Sequence, residues 1–361
     1  MSIPRSPAPP APGPSPSVTV HDVARAAGVS QSAVSRAFTP GSSLSADKRE
    51  RIIATANALG YRPNPLARSL IRGTSNIIGV GVGDLANPFF VQTLQLLSEA
   101  LDGANLRLML FPAHGGGGGG AEPSIQEVLH YRIDALVLLS VSLSSKLAEE
   151  CARAQVPIIL YNRTISHGPG DRPQASSVVG DNTIGARTIA AHLLGGGHQR
   201  LAFIAGSPES STNAQREAGF TAYLAQHGRP APLREEGHFS FEATLAATRR
   251  LLVRPDRPDA IFCANDTMAL AAITVARHEF GLDVGRDISI AGYDDVPMAA
   301  WAPFALTSYS QPARRMVEET VRLIHALRAA PDAHREVTCP GTLVVRGSTR
   351  PVTPLAPERD V

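Results

Sequence analysis

Gln31, Ser32 and Arg36 fall in one short stretch, Ser30-Gln31-Ser32-Ala33-Val34-Ser35-Arg36-Ala37-Phe38. If Val34 and Phe38 pack inward from a helix, the three polar side chains are left exposed. Their types suit the edges of bases in a DNA major groove. Gln pairs with adenine, Arg with guanine, and Ser can serve donors or acceptors. A second group of polar side chains is spread through the rest of the chain, mostly just beyond apolar runs. It comprises Asp84, Asn87, Arg163, Asp181, Arg216, Asn265 and Asp294, with the aromatics Phe89, Phe90 and Phe239. Carboxylates, amides and a forked guanidinium suit a ring of hydroxyls, and an aromatic face suits the apolar side of a sugar.

The elements that must hold the first group are legible locally. Thr19 followed by Asp22 makes a Thr-x-x-Asp capping box, which predicts a helix over about Val20 to Ala27. Gly28 fits a left-handed C-cap, and Ser30 can cap a second helix from Gln31 to Phe38. That helix is too short to stand alone, so Val34 and Phe38 must pack on Val23 and Ala27. A third helix begins after Ser45. Its inner stripe is Ile52, Ile53, Ala56 and Leu59, and Gly60 closes it. The spacing is that of a helix-turn-helix. A three-helix module that binds protein, or a merely solvated polar face, fits the same spacing. Charge separates them: residues 1–73 hold nine Arg/Lys and three Asp/Glu, whereas the remainder holds 25 and 29. A basic head on a mildly acidic body is what attraction to phosphates requires.

The next segment, Asn64-Pro65-Leu66-Ala67-Arg68-Ser69-Leu70-Ile71, reads as a short hinge helix with Asn64 as N-cap and Pro65 at its first position. Leu66 and Leu70 share a face at i, i+4. Exposed leucines on so marginal a helix suit a wedge between base steps in the minor groove. The alternative is a linker whose leucines dock on the following domain.

Length, at 361 residues, allows two or three domains. Three scattered cysteines, Cys151, Cys263 and Cys339, have no close metal spacing and suit reduced cytosolic thiols. No apolar run reaches the roughly 18 residues of a membrane span. Residues 1–16 are rich in Pro, Ala and Ser and lack an apolar signal-peptide core, so a disordered tail is expected. From Ser75 onward, strand-like runs alternate with helical patterns, which implies parallel sheets covered on both faces. The strand-like runs are Ile77–Val82, Leu106–Phe111, Ala135–Leu139, Pro157–Tyr161, Leu201–Ile204, Ala260–Cys263 and Ile288–Ala291. About 275 residues is large for one open sheet, so two lobes are expected.

The chain resembles the LacI/GalR family of bacterial transcription regulators along nearly its whole length. The resemblance rests on Asp22-Val23-Ala24, Gly28-Val29-Ser30, Val34-Ser35-Arg36, Gly60-Tyr61-Arg62-Pro63-Asn64 and Leu66-Ala67-Arg68-Ser69-Leu70. Further on it rests on Asn87-Pro88-Phe89-Phe90, Asp181-Asn182, Gly197-His198, Arg216-Glu217-Ala218-Gly219-Phe220, Ala264-Asn265-Asp266 and Gly292-Tyr293-Asp294-Asp295. It implies an all-α helix-turn-helix head (17–63), a hinge (64–74), and an α/β periplasmic-binding-protein-like core (75–350) of two Rossmann-like parallel-sheet lobes. A tail (351–361) follows. It also implies that Gln31, Ser32 and Arg36 face base edges and that Leu70 is the intercalating wedge. Thr19, His21, Ser35, Asn64 and Arg68 complete the expected DNA-contact set. The chain should cross between lobes three times, near Tyr161–Val178, Leu306–Gln311 and Ala330–Glu336. Two departures stand out. Thr39-Pro40 replaces an Asn common after the second helix, and six glycines, Gly115 to Gly120, replace a polar loop.

Ligands in such folds sit beyond the carboxyl ends of strands, here the cleft between lobes. That places Asp84, Asn87, Phe89, Phe90, Arg163, Asp181, Arg216, Phe239, Asn265 and Asp294 as the candidate lining. One of Phe89 and Phe90 should belong to the core. Asp266 can simply cap a helix, and Asp295 can be structural. His192 and His198, six apart, read as surface or polar structural residues. The glycine run formally satisfies G-x-G-x-x-G, but Pro123 interrupts the helix that would receive a phosphate. No cofactor, metal or catalytic step is expected. A sugar-binding transport protein would need an export signal and no helix-turn-helix, and a sugar-processing enzyme would need an acid–base pair or nucleophile. The expected protein is a cytoplasmic, nucleoid-associated repressor, a homodimer on a pseudo-palindromic operator, controlled by a sugar-like effector. The short Pro-rich tail Pro351 to Val361 cannot form a heptad helix for tetramers. The dimer face is instead expected near Val91–Leu101 and Arg315–Leu327. Leu70→Ala should lower operator affinity and reduce DNA bending; unchanged bending in a gel phasing assay would remove the wedge.

Overall fold

The computed structural model describes residues 18–39, 41–62, 74–113, 123–141, 143–164 and 174–352. The N-terminal tail, the hinge segment with Asn64, Arg68 and Leu70, the Gly115–Gly120 run and the end of the C-terminal tail lie outside these residues. The chain divides into two compact units, Met1–Ser75 and Asn76–Val361.

The first unit is three helices, α1 (Val20–Ala27), α2 (Gln31–Ala37) and α3 (Ala46–Ala58). The capping box forms as the sequence requires. The Thr19 hydroxyl donates to the Asp22 carboxylate at 2.7 Å, and the Asp22 N–H donates back to Thr19 Oγ1 at 3.4 Å. The hydrogen bond from Thr19 holds the Asp22 carboxyl below its ordinary pKa. Gly28 closes α1 at φ 62°, and the Ser30 hydroxyl accepts the Ala33 N–H to open α2. Phe38 is the C-cap of α2 and not its last residue. The core is small: Val23, Ala24, Ala33, Val34, Ala37, Ile52 and Ala56. Leu59, expected in the inner stripe, is exposed. The chain turns at Gly60, φ 71°, and Tyr61 packs on the core instead, 6.0 Å from the Phe38 ring. Arg49 of α3 ties down the end of α2. Its guanidinium donates to the Ala37 carbonyl at 2.7 Å and the Ser42 hydroxyl at 2.8 Å.

The second unit contains two six-stranded sheets. The first runs in the order β11-β5-β4-β3-β1-β2 and the second β12-β10-β9-β8-β6-β7. The strands of the first are β1 Ile77–Val82, β2 Arg107–Pro112, β3 Ala135–Leu139, β4 Ile158–Tyr161, β5 Ser176–Gly180 and β11 Glu336–Cys339. Those of the second are β6 Leu201–Ala205, β7 Leu233–Glu236, β8 Ala260–Cys263, β9 Ser289–Asp294, β10 Thr307–Ser310 and β12 Thr342–Val344. All pairings are parallel except that of β10 with β12. Central strands such as Ala-Leu-Val-Leu-Leu of β3 are buried throughout, as strands covered on both faces must be. Helices Pro88–Gly103 and Ala313–Ala329 pack together over the first sheet. Helices Asn182–Gly195 and Ser211–Gln226 cover the second, and Phe241–Leu252 pairs with Asp266–His278 over it. Both sheets reverse their winding direction beside their first strand, β1 or β6. That geometry opens a crevice at the carboxyl ends.

The three crossings lie elsewhere than expected. The first follows β5, at Gly180–Asp181, not Tyr161–Val178, because β5 still belongs to the first sheet. The second is at Gln311–Pro312, the end of the expected range. The third is at Pro340–Gly341, not Ala330–Glu336, because β11 adds to the first sheet before the chain leaves it. The strands β5 and β10, Ser-Ser-Val-Val-Gly and Thr-Ser-Tyr-Ser, are too polar to register as apolar runs. Of the two readings of His192 and His198, the polar structural one holds: both are buried, and the His192 ring bonds the Thr349 hydroxyl at 2.8 Å. The three cysteines are buried and form no disulfide. Among the described residues no helix is long and apolar enough to cross a membrane. Helices Asn182–Gly195 and Ser211–Gln226 approach closely at Gly219, where an added Cβ would stand 2.7 Å from the Thr183 carbonyl oxygen. Gly219→Ala should therefore cost roughly 1–3 kcal/mol. A denaturant midpoint for the two-lobed unit equal to that of the native chain would refute this.

Candidate functional site

Two surfaces collect the expected residues, one in each unit. On the head, Gln31, Ser32 and Arg36 are exposed while Ala33, Val34 and Ala37 are buried, so α2 presents its polar face outward. Gln31 is held by His21, Nε2 to Nδ1 at 2.8 Å, and Ser32 by the Ser30 hydroxyl at 2.9 Å. The Arg36 Nε donates to the Ser32 carbonyl at 3.3 Å. That bond leaves its two terminal nitrogens without a partner among the described residues. Ser35 is half-buried, and its carbonyl receives the Thr39 hydroxyl at 3.0 Å. Thr19 is spent on its cap. The capping bonds and Arg49 thus fix α2 by its two ends and leave its middle free to meet a partner.

In the second unit a narrow cavity of about 30 Å³ lies between the carboxyl ends of the two sheets. From the first lobe come Asp84, Asn87 and Phe90 after β1, Ser140 after β3, and Asn162 and Arg163 after β4. From the second come Thr212 and Arg216 on the helix after β6, Phe239 after β7, Asn265 after β8 and Asp294 at the end of β9. Of the expected lining, Phe89 and Asp181 are not brought here. Phe89 turns into the first-lobe core beside Tyr161, while Phe90 faces the cavity. Asp181 caps the helix Asn182–Gly195, accepting the Ile184 N–H at 2.9 Å. Ser140, Asn162 and Thr212 were not anticipated. Ser140 and Asn162 directly follow strands that were anticipated, so their position alone would have found them.

Arg216 is the most constrained member. Its side chain is only 2% exposed, and every bond it makes is to its own lobe. It donates to Asn182 Oδ1 at 2.9 Å, to the Ala264 carbonyl at 2.5 Å and to Asp294 at 3.5 Å. Its guanidinium lies 3.6 Å over the centre of the Tyr293 ring. Asp294 sits at φ 111°, and its Oδ1 also accepts from Gln311 Nε2 at 2.7 Å. Burial raises the Asp294 pKa to about 6, against the pull of Arg216 and Gln311. Asn265, not Asp266, caps the helix Asp266–His278, its Oδ1 accepting from the Met268 N–H at 3.0 Å. Asp266 is fully buried and structural, accepting from the Ser308 hydroxyl and the Val296 N–H. Burial lifts its pKa well above the carboxylate range. Asp295 is likewise structural, paired with Arg346 at 2.7 Å. Phe239 is stacked so closely on Gly206 that a Cβ there would fall inside its ring, which fixes the aromatic wall of the cavity.

The comparisons with known proteins agree in both units. Residues 19–64 match the model of bacterial regulatory proteins of the lacI family, and residues 190–349 that of a periplasmic binding protein-like domain. The chain is 30% identical over 346 residues to the transcriptional regulator DegA of Bacillus subtilis, across 92% of this chain and 98% of that relative. It is 31% identical over 313 residues to the regulator CelR of Thermobifida fusca, across 85% and 90%. The lac repressor dimer bound to operator and the anti-inducer ONPF superposes with a TM-score of 0.81 at 28% identity, over 92% of this chain and 99% of that one. A CelR–cellobiose complex gives 0.68 at 28% identity, over 92% and 99%. With the head matched, residues 190–349 of the two-lobed unit matched behind it and a 30% identical relative covered almost end to end, the chain belongs to the lacI family of bacterial regulatory proteins.

Proposed function

We propose that this protein is a transcriptional repressor that binds a pseudo-palindromic operator as a homodimer and changes its operator affinity when a sugar-like effector fills the cleft. The observation that carries this reading is the joining of two features in one chain. One is an exposed Gln31, Ser32 and Arg36 face on a capped helix; the other is a polar cavity between the lobes, walled by Phe90 and Phe239. The lac repressor dimer on its operator and the cellobiose complex of CelR support each half. The protein acts by binding, with no chemical step, in the cytoplasm where its operator lies. One recognition helix serves each half-site. Closing the lobes on the effector alters how the two protomers present their heads, and the effector's preference for one state sets the size of the response. By linkage, operator must change effector affinity by the same factor that effector changes operator affinity.

These residues make three outcomes testable. Arg36→Ala should cost roughly 1–3 kcal/mol at the operator and far less on random DNA. Equal losses on both would remove its base-reading role. Asp294→Ala removes an acceptor from the cavity and should abolish the effector response in an operator-binding titration. The native response should also weaken as pH falls through about 6, because protonated Asp294 no longer offers a full acceptor. A mutant that keeps the full response would exclude Asp294 as an effector contact.

A further inference from the structure

The charges that line the cavity, two arginines and two aspartates, are unevenly paired. Arg216 has Asp294 as its counter-charge, but Arg163 has none among the described residues. Its side chain is 91% buried, being 9% exposed, and it lines the cavity. No carboxylate of the described residues lies within ion-pair distance of it, and it makes no hydrogen bond among them. Its neighbours in charge are Arg216, which opposes it, and the exposed Glu209, which favours it only weakly. Burial and Arg216 lower its pKa to about 10, so it remains a cation at neutral pH. Asp84, the other carboxylate of the lining, is half-exposed and turns one oxygen to the Ala86 N–H at 2.9 Å.

Backbone dipoles add to the same imbalance. Asn87 and Asn265 line the cavity and are the N-caps of the helices Pro88–Gly103 and Asp266–His278. Thr212 lines it from the first turn of Ser211–Gln226. Three helices of 16, 13 and 16 residues therefore direct their positive ends at one small volume. A desolvated cation without a partner is costly unless an anion arrives to pair with it. The Asn162 Oδ1 beside Arg163 is buried without a donor and is suited to a ligand hydroxyl.

We infer that the effector is an anionic polyhydroxylated molecule whose oxyanion, carboxylate or phosphate, seats on the Arg163 guanidinium, with its hydroxyls on Asn162, Asn265 and Asp294. The inference rests on the reading of the cleft as a sugar-type effector site, and it separates from that reading in one experiment. The full-length protein is titrated calorimetrically with common pentoses and hexoses, each alongside its aldonic acid, uronic acid and terminal phosphate. A charged member should bind roughly 10- to 100-fold more tightly than its neutral parent, as a charge-assisted bond would give. Whether the acid or the phosphate is preferred identifies the oxyanion. Arg163→Gln should erase the difference between charged and neutral members, and Arg163→Lys, which keeps the charge but not the fork, should restore part of it. A neutral sugar that binds as tightly as its acid and phosphate overturns the inference and leaves a sugar effector standing. Failure of every member, neutral or charged, overturns the sugar reading itself. If Arg163→Gln does not fold, the comparison on native protein alone decides.

Discussion

A guanidinium cannot lose its water without replacement, and Arg216 has lost nearly all of it. Asn182, the Ala264 carbonyl, Asp294 and the face of Tyr293 together substitute for that water. Removing one member of such a buried set costs about 3–5 kcal/mol, because the remaining charge is left uncompensated. The surrounding backbone is arranged to make the set possible. Asp294 accepts a positive φ of 111° at the end of β9, and Asn265 holds the start of the helix behind it. The cavity floor is therefore held in place by its own lobe before any ligand arrives, which lowers the ordering cost of binding there.

The same carboxylate reaches the joints between lobes. Gln311, at the second crossing, donates to Asp294 and packs on Gly180, at the first, where an added Cβ would stand 2.5 Å from its amide oxygen. Gly341, at the third, lies against the Ser310 carbonyl, and its N–H donates to the Tyr309 hydroxyl at 3.1 Å. The Asp181 N–H donates to the Cys339 carbonyl at 3.1 Å, which joins the first crossing to the third. Three short segments are thus locked side by side by glycine contacts and single hydrogen bonds. The Gln311 amide thus links Asp294 to the first two of these segments.

Local chemistry was the most legible part of the sequence. Thr19, Asp22, Gly28 and Ser30 act through bonds to residues two to four positions away, so spacing alone revealed α1 and α2. The apolar strands were legible for a similar reason, since burial on both faces leaves an unbroken run. The polar strands were not. Ser176, Ser177, Thr307 and Ser308 are buried, and Ser176, Thr307 and Ser308 bond to distant backbone or side chains such as Arg335 and Asp266. That information is absent from a local window, so the lobe boundaries shifted with them. In the cavity, residues at strand ends were visible from position. The division of labour between Phe89 and Phe90, or between Asn265 and Asp266, depends on which way each side chain points once helices are placed.

Cys339 gives the crossings a further property. It is the last residue of β11, fully buried, one residue before the third crossing begins at Pro340. Burial also raises its thiol pKa, so in the closed arrangement it is both hidden and poorly ionised. Thiol reagents attack the thiolate, so reaction at Cys339 requires the end of β11 beside the third crossing to open. The rate at which Cys339 is alkylated therefore counts the openings of the joint. The chain thus carries its own reporter for opening at that joint, readable without an added label.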